Sequence, residues 1–359
     1  MSQVLISGRL TLGPQTEELE REFARLHNVS HAVAVSSGTS ALEIILRSVG
    51  VAGRSVVVPA NTFFATAAAV VHAGGSPIFA DASPHSMMLC AESVQAALRS
   101  DTAAVILVHI GGMICADINA IAKLCRQRGI VMIEDAAHAA GSSYAGRYAG
   151  TFGIAGSFSF YPTKIATSGE GGMIVTNDQK VAEHAHCYRD QGKIRPDQNL
   201  HVRMGHNWRM SELHACIGIV QTRRIEHFIK TKRSIAHLYK QALKSFPDLC
   251  PILEGASVRS NYHKFVVLLD KGLDRQAMKI AMREKHGVHL GGEVYDHPLH
   301  LQPIFREHYR GNLPVAEDVC ARHICLPIHS DMTLEEAHYV ISALPNGLKA
   351  ARENRKSIV

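Results

Sequence analysis

The sequence predicts an α/β protein in which helices cover a mainly parallel sheet and a smaller domain follows at the C-terminal end. Two observations carry this prediction. Short apolar runs alternate with amphipathic helical patterns through the first half of the chain, as in consecutive βαβ units. After Met210 this alternation gives way to a long helical pattern, in which apolar residues from Leu213 to Leu243 recur near spacings of three, four and seven.

Seven apolar runs are predicted to be buried strands of the sheet, and four stretches beside them have the single apolar face of a surface helix. The predicted strands are 31–35, 55–59, 77–81, 104–109, 130–135, 157–161 and 173–176, and the predicted helices are 41–49, 65–73, 91–99 and 119–129. The smaller domain is predicted to contain a strand at 263–269 and a helix at 274–285. We place the boundary so that residues 1–235 form the large domain and residues 236–359 the small one.

Lys164 lies where a predicted strand gives way to a glycine-rich loop, in the sequence SFSFYPTK followed shortly by SGEGG. A lysine amine is protonated near pH 7, so a lysine that attacks a carbonyl must be desolvated or close to other cations. Upstream, Asp135 is an acid at the carboxyl end of an apolar strand, where ligands of open α/β sheets bind. A lysine that forms a Schiff base and an acid that pairs with a pyridinium nitrogen are the two groups that pyridoxal phosphate requires of a protein.

The junction at residues 33–42, VAVSSGTSAL, leads from an apolar strand through small hydroxyl residues and a glycine into a helix. Such a junction offers unpaired backbone N–H groups and the positive end of a helix dipole, which together bind phosphate. Ser and Thr are also ordinary N-cap residues, so the junction taken alone indicates no more than a capped helix.

In this order the motifs resemble the DegT/DnrJ/EryC1/StrS family of pyridoxal-phosphate-dependent sugar aminotransferases, and the resemblance extends from about Gly13 to about Leu344. It implies a large domain of the aspartate aminotransferase type (fold type I), with a mainly parallel seven-stranded sheet, and a smaller C-terminal α+β domain. One branch of the family has a histidine in place of the lysine and dehydrates sugars, and Lys164 argues against that branch. The stretch before Gly13 is short for this family, which leaves two alternatives open, a truncation or a different access to the active site.

The resemblance also implies which residues hold the cofactor phosphate. The matching positions are the backbone amides of Gly38 and Thr39 and the hydroxyl of Ser159. The segment at residues 205–212, GHNWRMSE, resembles a family segment whose asparagine reaches the phosphate in the neighbouring subunit, and Asn207 is the matching residue. A homodimer with shared active sites is therefore expected; the alternative is that Asn207 serves only a turn in a surface loop.

The other implied positions surround the cofactor ring and the substrate. Phe63, in the segment PANTFFAT, matches an aromatic residue that stacks on the pyridine face, although a phenylalanine at a strand end is as often part of a core. Asp135 would pair with the ring nitrogen, His138 would lie near the ring hydroxyl, and Lys164 would be both covalent anchor and general base. His300 lies in a stretch, YDHPLH, that resembles a substrate-facing segment of the family, but a structural role is the alternative.

The resemblance implies an enzyme that transfers an amino group from glutamate or glutamine to a keto sugar, with a nucleotide-linked sugar expected, in amino-sugar biosynthesis. Segments around Gly111 and Asp135 are similar to those of relatives that aminate cyclitols or form amino-aromatic products by dehydration, and these reactions are alternatives. A regulatory or sensor protein without catalysis is a more remote alternative, because such a protein could lose Lys164 or Asp135 and this sequence retains both.

Composition sets further bounds on function. The 38 Lys and Arg residues against 32 Asp and Glu give a formal net charge of +6, which suits an anionic nucleotide sugar, and no basic run indicates nucleic-acid binding. The eight cysteines form no CxxC pair and no zinc spacing, so we expect reduced thiols, no metal and a cytoplasmic protein. No signal segment is evident, and no apolar run approaches the roughly 18 residues of a membrane span.

Overall fold

A computed structural model describes residues 1–195, 197–292, 295–306, 309 and 311–354. Its strands are β1 (His31–Val35), β2 (Ser55–Pro59), β3 (Ser76–Ala80), β4 (Thr102–Val108), β5 (Val131–Asp135), β6 (Ser143–Tyr144), β7 (Arg147–Tyr148), β8 (Ala155–Ser159), β9 (Gly172–Thr176), β10 (Leu249–Pro251), β11 (Val258–Arg259), β12 (Phe265–Leu269) and β13 (His323–Leu326). Its helices are α1 (Ser2–Ser7), α2 (Pro14–His27), α3 (Gly38–Ser48), α4 (Phe64–His72), α5 (Ala91–Ala97), α6 (Ile118–Arg128), α7 (Gln179–Arg189), α8 (Glu212–Ala242), α9 (Arg275–His286), α10 (Pro303–Arg306), α11 (Pro314–Arg322) and α12 (Leu334–Glu353).

A seven-stranded sheet with the order β1-β9-β8-β5-β4-β2-β3 forms the centre of the fold. Strand β9 runs antiparallel to both of its neighbours, and the other neighbouring pairs are parallel. Strands β2 and β4 are buried along their whole length, as strands covered by helices on both faces must be. The α/β class and the mainly parallel seven-stranded sheet that the sequence predicts are therefore confirmed.

The predicted strand bounds agree with the structure to within two residues, and β1 and β2 have the predicted bounds. Strand β8 is shifted by two residues at both ends, so it ends at Ser159 and not at residue 161. Beyond Phe160 the chain enters a turn, in which the Lys164 backbone N–H donates to the Tyr161 carbonyl. Tyr161 consequently leaves the sheet with 48% of its surface exposed. Helix α3 begins three residues earlier than predicted, because Ser37 caps it and Gly38 already takes part in its first turn.

Two apolar clusters form most of the core, and the 31-residue helix α8 extends from the first into the second. The first cluster surrounds the large sheet. The second begins at Ile235 and includes α9, α12 and the three-stranded sheet β10-β12-β13. The second cluster begins one residue before the predicted boundary between residues 235 and 236, and several residues of the predicted small domain, among them Val258, Tyr295 and Cys320, belong to the first cluster. The division into two domains stays a prediction. Residues 355–359 of the predicted small domain lie outside the described residues.

Three of the predicted motifs meet at the carboxyl edge of the large sheet. Asp135 ends β5, Ser159 ends β8, and α3 begins shortly after β1. Gly38 approaches β8 so closely that a Cβ added to it would lie 2.9 Å from the Cβ of Ser159. A glycine at this position therefore allows the start of α3 to lie beside the end of β8.

Five of the eight cysteines are buried. Burial raises the pKa of the Cys115 and Cys320 thiols to about 12, so these side chains pack as small apolar groups. Among the helices in the described ranges, none combines the length and apolar character needed to cross a membrane.

Candidate active site

Most of the predicted site residues line one pocket of about 420 Å³ at the carboxyl edge of the sheet. Those that line it are Gly38, Thr39, Phe63, Asp135, His138, Ser159 and Lys164. They come from four separate stretches of the sequence, which the parallel strands bring to one edge. A wider, open groove of about 1080 Å³ along α8 contains none of the predicted residues.

One end of the pocket is formed by the first turn of α3. Ser37 caps this helix: its hydroxyl accepts a hydrogen bond from the Ser40 N–H at 3.0 Å, and its own N–H donates to the Ser40 hydroxyl at 3.0 Å. Gly38 and Thr39 occupy the next two positions, where no intrahelical carbonyl is available to their N–H groups. These donors, the helix dipole and the neighbouring hydroxyls of Thr39 and Ser159 suit a phosphate group.

The carboxylate of Asp135 is held in place by two donors. Oδ2 accepts a hydrogen bond from the Thr66 hydroxyl at 2.9 Å, and Oδ1 accepts one from the Ala137 N–H at 3.2 Å. Thr66 is buried in the first turns of α4, and its hydroxyl also lies 3.0 Å from that of Thr62. Asp135 therefore presents a fixed anion at the wall of the pocket.

Lys164 reaches the same pocket from the turn that follows β8, where its N–H donates to the Tyr161 carbonyl at 2.9 Å. Burial lowers the pKa of its amine to about 8; the carboxylate of Asp135 opposes this shift and the charge of Lys264 adds to it. Near pH 7 such an amine is neutral in a much larger fraction of molecules than that of an ordinary lysine, for which the pKa is about 10.4. This is the condition for attack on a carbonyl carbon.

His138 lines the pocket with its imidazole between two other side chains. Its Nδ1 lies 2.9 Å from the Tyr295 hydroxyl, and its ring lies 4.1 Å from that of His263, measured between centroids. Burial lowers the pKa of both imidazoles well below its usual range, and the charges of Lys164, Lys232 and Lys264 act in the same direction. The two rings are consequently neutral.

Two aromatic side chains border the pocket and remain substantially exposed. Phe63 is 57% exposed and immediately precedes α4, and Tyr161 is 48% exposed after the end of β8. Both line the pocket. An exposed ring beside a cavity can stack on a planar ligand, whereas a core phenylalanine is buried. The position of Phe63 thus favours the predicted stacking role over the alternative of a core residue.

Two predicted residues lie elsewhere. Asn207 is exposed and forms a backbone bridge with Asp190, and it does not line the pocket of its own chain. His300 is 1% exposed and its Nε2 lies 3.1 Å from the Glu317 carboxylate, with the Tyr309 ring beside it. Because this carboxylate and ring surround His300, its position favours the structural alternative over contact with a substrate.

The structure adds residues that the sequence did not single out for the site. Thr66 lies in PANTFFAT, the motif that contains Phe63. Its hydroxyl was therefore the feature of the sequence from which a polar contact in the site could have been predicted. Tyr295 lies in the stretch that supplied His300, and it is Tyr295 that lines the pocket. No sequence signal points to His263, which begins the stretch leading into β12.

A mainly parallel sheet and a pocket holding a lysine of lowered pKa, an anchored acid and an anion cradle are the arrangement of a fold type I enzyme, and solved aminotransferase structures share this fold. The chain belongs to the DegT/DnrJ/EryC1/StrS aminotransferase family, whose sequence model matches residues 1–345. Both the predicted family and the predicted enzyme class are thereby confirmed.

Relatives of this chain match it over almost its whole length. GDP-perosamine synthase of Escherichia coli O157:H7 is 32% identical over 333 residues, which cover 92% of this chain and 90% of that protein. A pleiotropic regulatory protein of Geobacillus stearothermophilus is 33% identical over 349 residues, which cover 96% of this chain and 92% of that protein. The crystal structure of the aminotransferase TlmJ from Streptoalloteichus hindustanus has a TM-score of 0.91 at 33% identity, covering 97% of this chain and 94% of TlmJ.

Proposed function

We propose that this aminotransferase uses pyridoxal phosphate to move an amino group from glutamate or glutamine to a keto sugar carried by a nucleotide. The observation that carries the proposal is the convergence of Lys164, Asp135 and the first turn of α3 on one pocket. Each supplies a group that this chemistry requires: an amine of lowered pKa, an anion and a phosphate cradle. The eight cysteines show no CxxC pair and no zinc spacing, which supports a reducing, cytoplasmic setting.

The residues present fit this cofactor. The Gly38 and Thr39 amides with the Ser159 hydroxyl would hold the phosphate, and the exposed ring of Phe63 would cover one face of the pyridine. Asp135 would face the ring nitrogen, since its carboxylate is fixed at the pocket wall by Thr66 and Ala137. His138 would donate to the ring hydroxyl oxygen.

When bound, pyridoxal phosphate supplies an aldehyde and an electron-withdrawing ring that acidifies the α-carbon of the amino donor. Lys164 is the group of this chain that holds the aldehyde at rest and carries the proton during turnover, for which its lowered pKa prepares it. The Asp135 carboxylate would stabilise positive charge on the ring nitrogen that it faces. The Thr66 hydroxyl keeps that carboxylate in one orientation.

A sugar acceptor is supported by the relatives rather than by any contact in the pocket. One relative is named GDP-perosamine synthase, after a nucleotide-linked sugar, and its match covers 92% of this chain. The formal charge of +6 is compatible with an anionic nucleotide. By comparison, neither cyclitol amination nor dehydration to an amino-aromatic product is supported by the relatives named above.

A regulatory role has one specific observation in its favour, the name of the Geobacillus stearothermophilus relative. The retained site argues for catalysis. A sensor needs neither a buried lysine with a pKa of about 8 nor an anchored acid beside it, and this chain has both.

We further propose that two subunits share each site, with Asn207 of one subunit reaching the phosphate of the other. The described residues between 190 and 207 belong to a loop closed by backbone bridges of Asp190 with Asn207 and of Lys193 with His201. This loop exposes four apolar side chains: Ile194, Leu200, Val202 and Met204. Exposed apolar side chains on one loop are typical of a surface that a partner covers. Asn207 is itself exposed at the base of the loop.

A substrate screen tests the proposed function. Purified protein loaded with pyridoxal phosphate would be incubated with glutamate or glutamine and a set of nucleotide-linked keto sugars, keto cyclitols and free keto sugars. We expect loss of the keto group and gain of an amine only with nucleotide-linked sugars, and no turnover with Lys164→Ala. Turnover with a cyclitol alone would replace the proposed acceptor.

A further inference from the structure

Tyr295 has no role in the proposed chemistry, yet it lines the pocket and is 2% exposed. Its hydroxyl lies 2.9 Å from Nδ1 of His138. Tyr295 lies far along the chain from His138, beyond β12 and α9, so the contact joins the C-terminal half of the chain to the carboxyl edge of the large sheet. A buried tyrosine hydroxyl that meets a buried imidazole fixes which nitrogen of that imidazole accepts.

The direction of this hydrogen bond follows from the surroundings of the phenol oxygen. Among the residues that the structure describes, Nδ1 of His138 is the one acceptor within hydrogen-bond distance of the phenol oxygen. The phenol proton is then free to point at Nδ1 of His138. Burial raises the pKa of Tyr295 well above its usual range, so the phenol keeps this proton.

The imidazole must then accept at Nδ1. Burial, with the charges of the nearby lysines, keeps the pKa of His138 low, and the pKa of the adjacent His263 is low for the same reasons. A neutral imidazole that accepts at Nδ1 carries its proton on Nε2. His138 lines the pocket, so this Nε2–H is available to an acceptor oxygen there.

We propose that Tyr295 is a positioning residue that holds His138 in the Nε2–H tautomer, so that His138 donates to an anionic oxygen of the ligand in the pocket. This inference rests on the proposed function only for the identity of that ligand, the ring hydroxyl of pyridoxal phosphate. Without Tyr295, Nδ1 could carry the proton and Nε2 would repel the same oxygen.

The test uses full-length protein labelled with ¹⁵N-histidine and free of cofactor, because ring-nitrogen shifts distinguish protonated from unprotonated nitrogens. The His138 signals are identified by their loss in His138→Gln. We expect wild type to show a protonated Nε2 and an unprotonated Nδ1, and Tyr295→Phe to show both tautomers. Loss of one hydrogen bond to the ligand should raise the Kd for pyridoxal phosphate by about tenfold.

Tyr239→Phe is the matched control. Tyr239 is fully buried and its hydroxyl donates to the Pro327 carbonyl at 2.8 Å in the second apolar cluster, so its loss removes one buried hydrogen bond at another place. We expect this variant to leave the His138 tautomer and the cofactor Kd unchanged.

A wild-type spectrum with the proton on Nδ1 would overturn the inference without any variant. So would a Tyr295→Phe protein that keeps the wild-type tautomer and Kd. A wild-type protein that has the expected tautomer but binds no pyridoxal phosphate would instead contradict the proposed function, so the two failures are distinguishable.

Discussion

Thr66 in α4 donates a hydrogen bond to the carboxylate of Asp135 at the end of β5, with 2.9 Å between Oγ1 and Oδ2. Since the Thr66 proton points at Asp135, the neighbouring Thr62 hydroxyl, 3.0 Å away, must donate to Thr66 in turn. With the Ala137 N–H on Oδ1, both carboxylate oxygens have a donor. The anion is thus oriented by α4, whose start also carries the exposed ring of Phe63.

We expect Asp135→Asn to keep the size of this side chain and remove its charge. Opposite a cationic ring nitrogen, the loss should lower kcat by on the order of a hundredfold or more and change donor affinity much less. The measurement is the rate of the glutamate half-reaction as a function of glutamate concentration. Asp178→Asn, at the N-cap of α7 and outside the pocket lining, is the control. Equal rates for Asp135→Asn and wild type across the pH range would reduce Asp135 to a strand-end acid.

We expect Gly38→Ala to weaken cofactor binding. The added Cβ would lie 2.9 Å from the Ser159 Cβ and 3.2 Å from the Phe158 carbonyl oxygen, so α3 must move away from β8. The backbone amides of its first turn, which are proposed to hold the phosphate, would move with it. The Kd for pyridoxal phosphate, measured by fluorescence titration, should rise by about tenfold or more. Gly255→Ala, where the nearest atom would be 3.6 Å away, should have no effect. Wild-type affinity in Gly38→Ala would contradict the phosphate cradle.

The lowered pKa of Lys164 predicts a pH dependence for the reaction of cofactor-free protein with pyridoxal phosphate. Only the neutral amine reacts, so the rate should rise with pH and level off above about 8, whereas an ordinary lysine would give a rise up to about 10.4. Asp135→Asn should move this rise to lower pH, because the carboxylate raises the pKa of Lys164. Lys264→Met should move it to higher pH, because the Lys264 charge lowers that pKa. Shifts of the opposite sign would refute the assignment.

Mixed dimers test the proposed contact of Asn207 with the partner's site. Lys164→Ala and Asn207→Ala subunits are each expected to be poorly active alone. After subunit exchange, a mixed dimer has one site with an intact Lys164 and an intact partner Asn207, so up to about a quarter of wild-type activity should return. Mixtures of Lys164→Ala with Asp135→Asn have no intact site and should stay inactive. No recovery in the first mixture, despite demonstrated exchange, would favour a simple surface turn at Asn207.

Local pattern was sufficient to predict much of the fold. Buried strands of a parallel sheet are short continuous apolar runs, so β1 and β2 could be located to the residue. The location of the site at the carboxyl edge of the sheet could be predicted too, because Asp135 is the last residue of such an apolar run. The site residues that follow from these positions lie together in the structure, although their roles stay predictions.

Contacts between distant segments could not be predicted in this way. The bonds from Thr66 to Asp135 and from Tyr295 to His138 depend on how α4 and the C-terminal half pack against the sheet, and no periodicity encodes that packing. His300 shows the converse: its motif resembled a substrate segment, but the packing places it against Glu317. The structure of a single chain likewise leaves Asn207 exposed, since its proposed partner is another subunit.

The most direct measurement for the central claim is borohydride reduction of the protein loaded with pyridoxal phosphate, followed by mass mapping of its peptides. We predict one phosphopyridoxyl group, on Lys164. We predict none on Lys264 or Lys232, whose charges, like that of Lys164, act on His138 and His263. Lys164→Ala should still bind the cofactor without becoming labelled and should lose turnover by several orders of magnitude. Labelling of another lysine in wild type, or near-normal amino transfer by Lys164→Ala, would contradict the account.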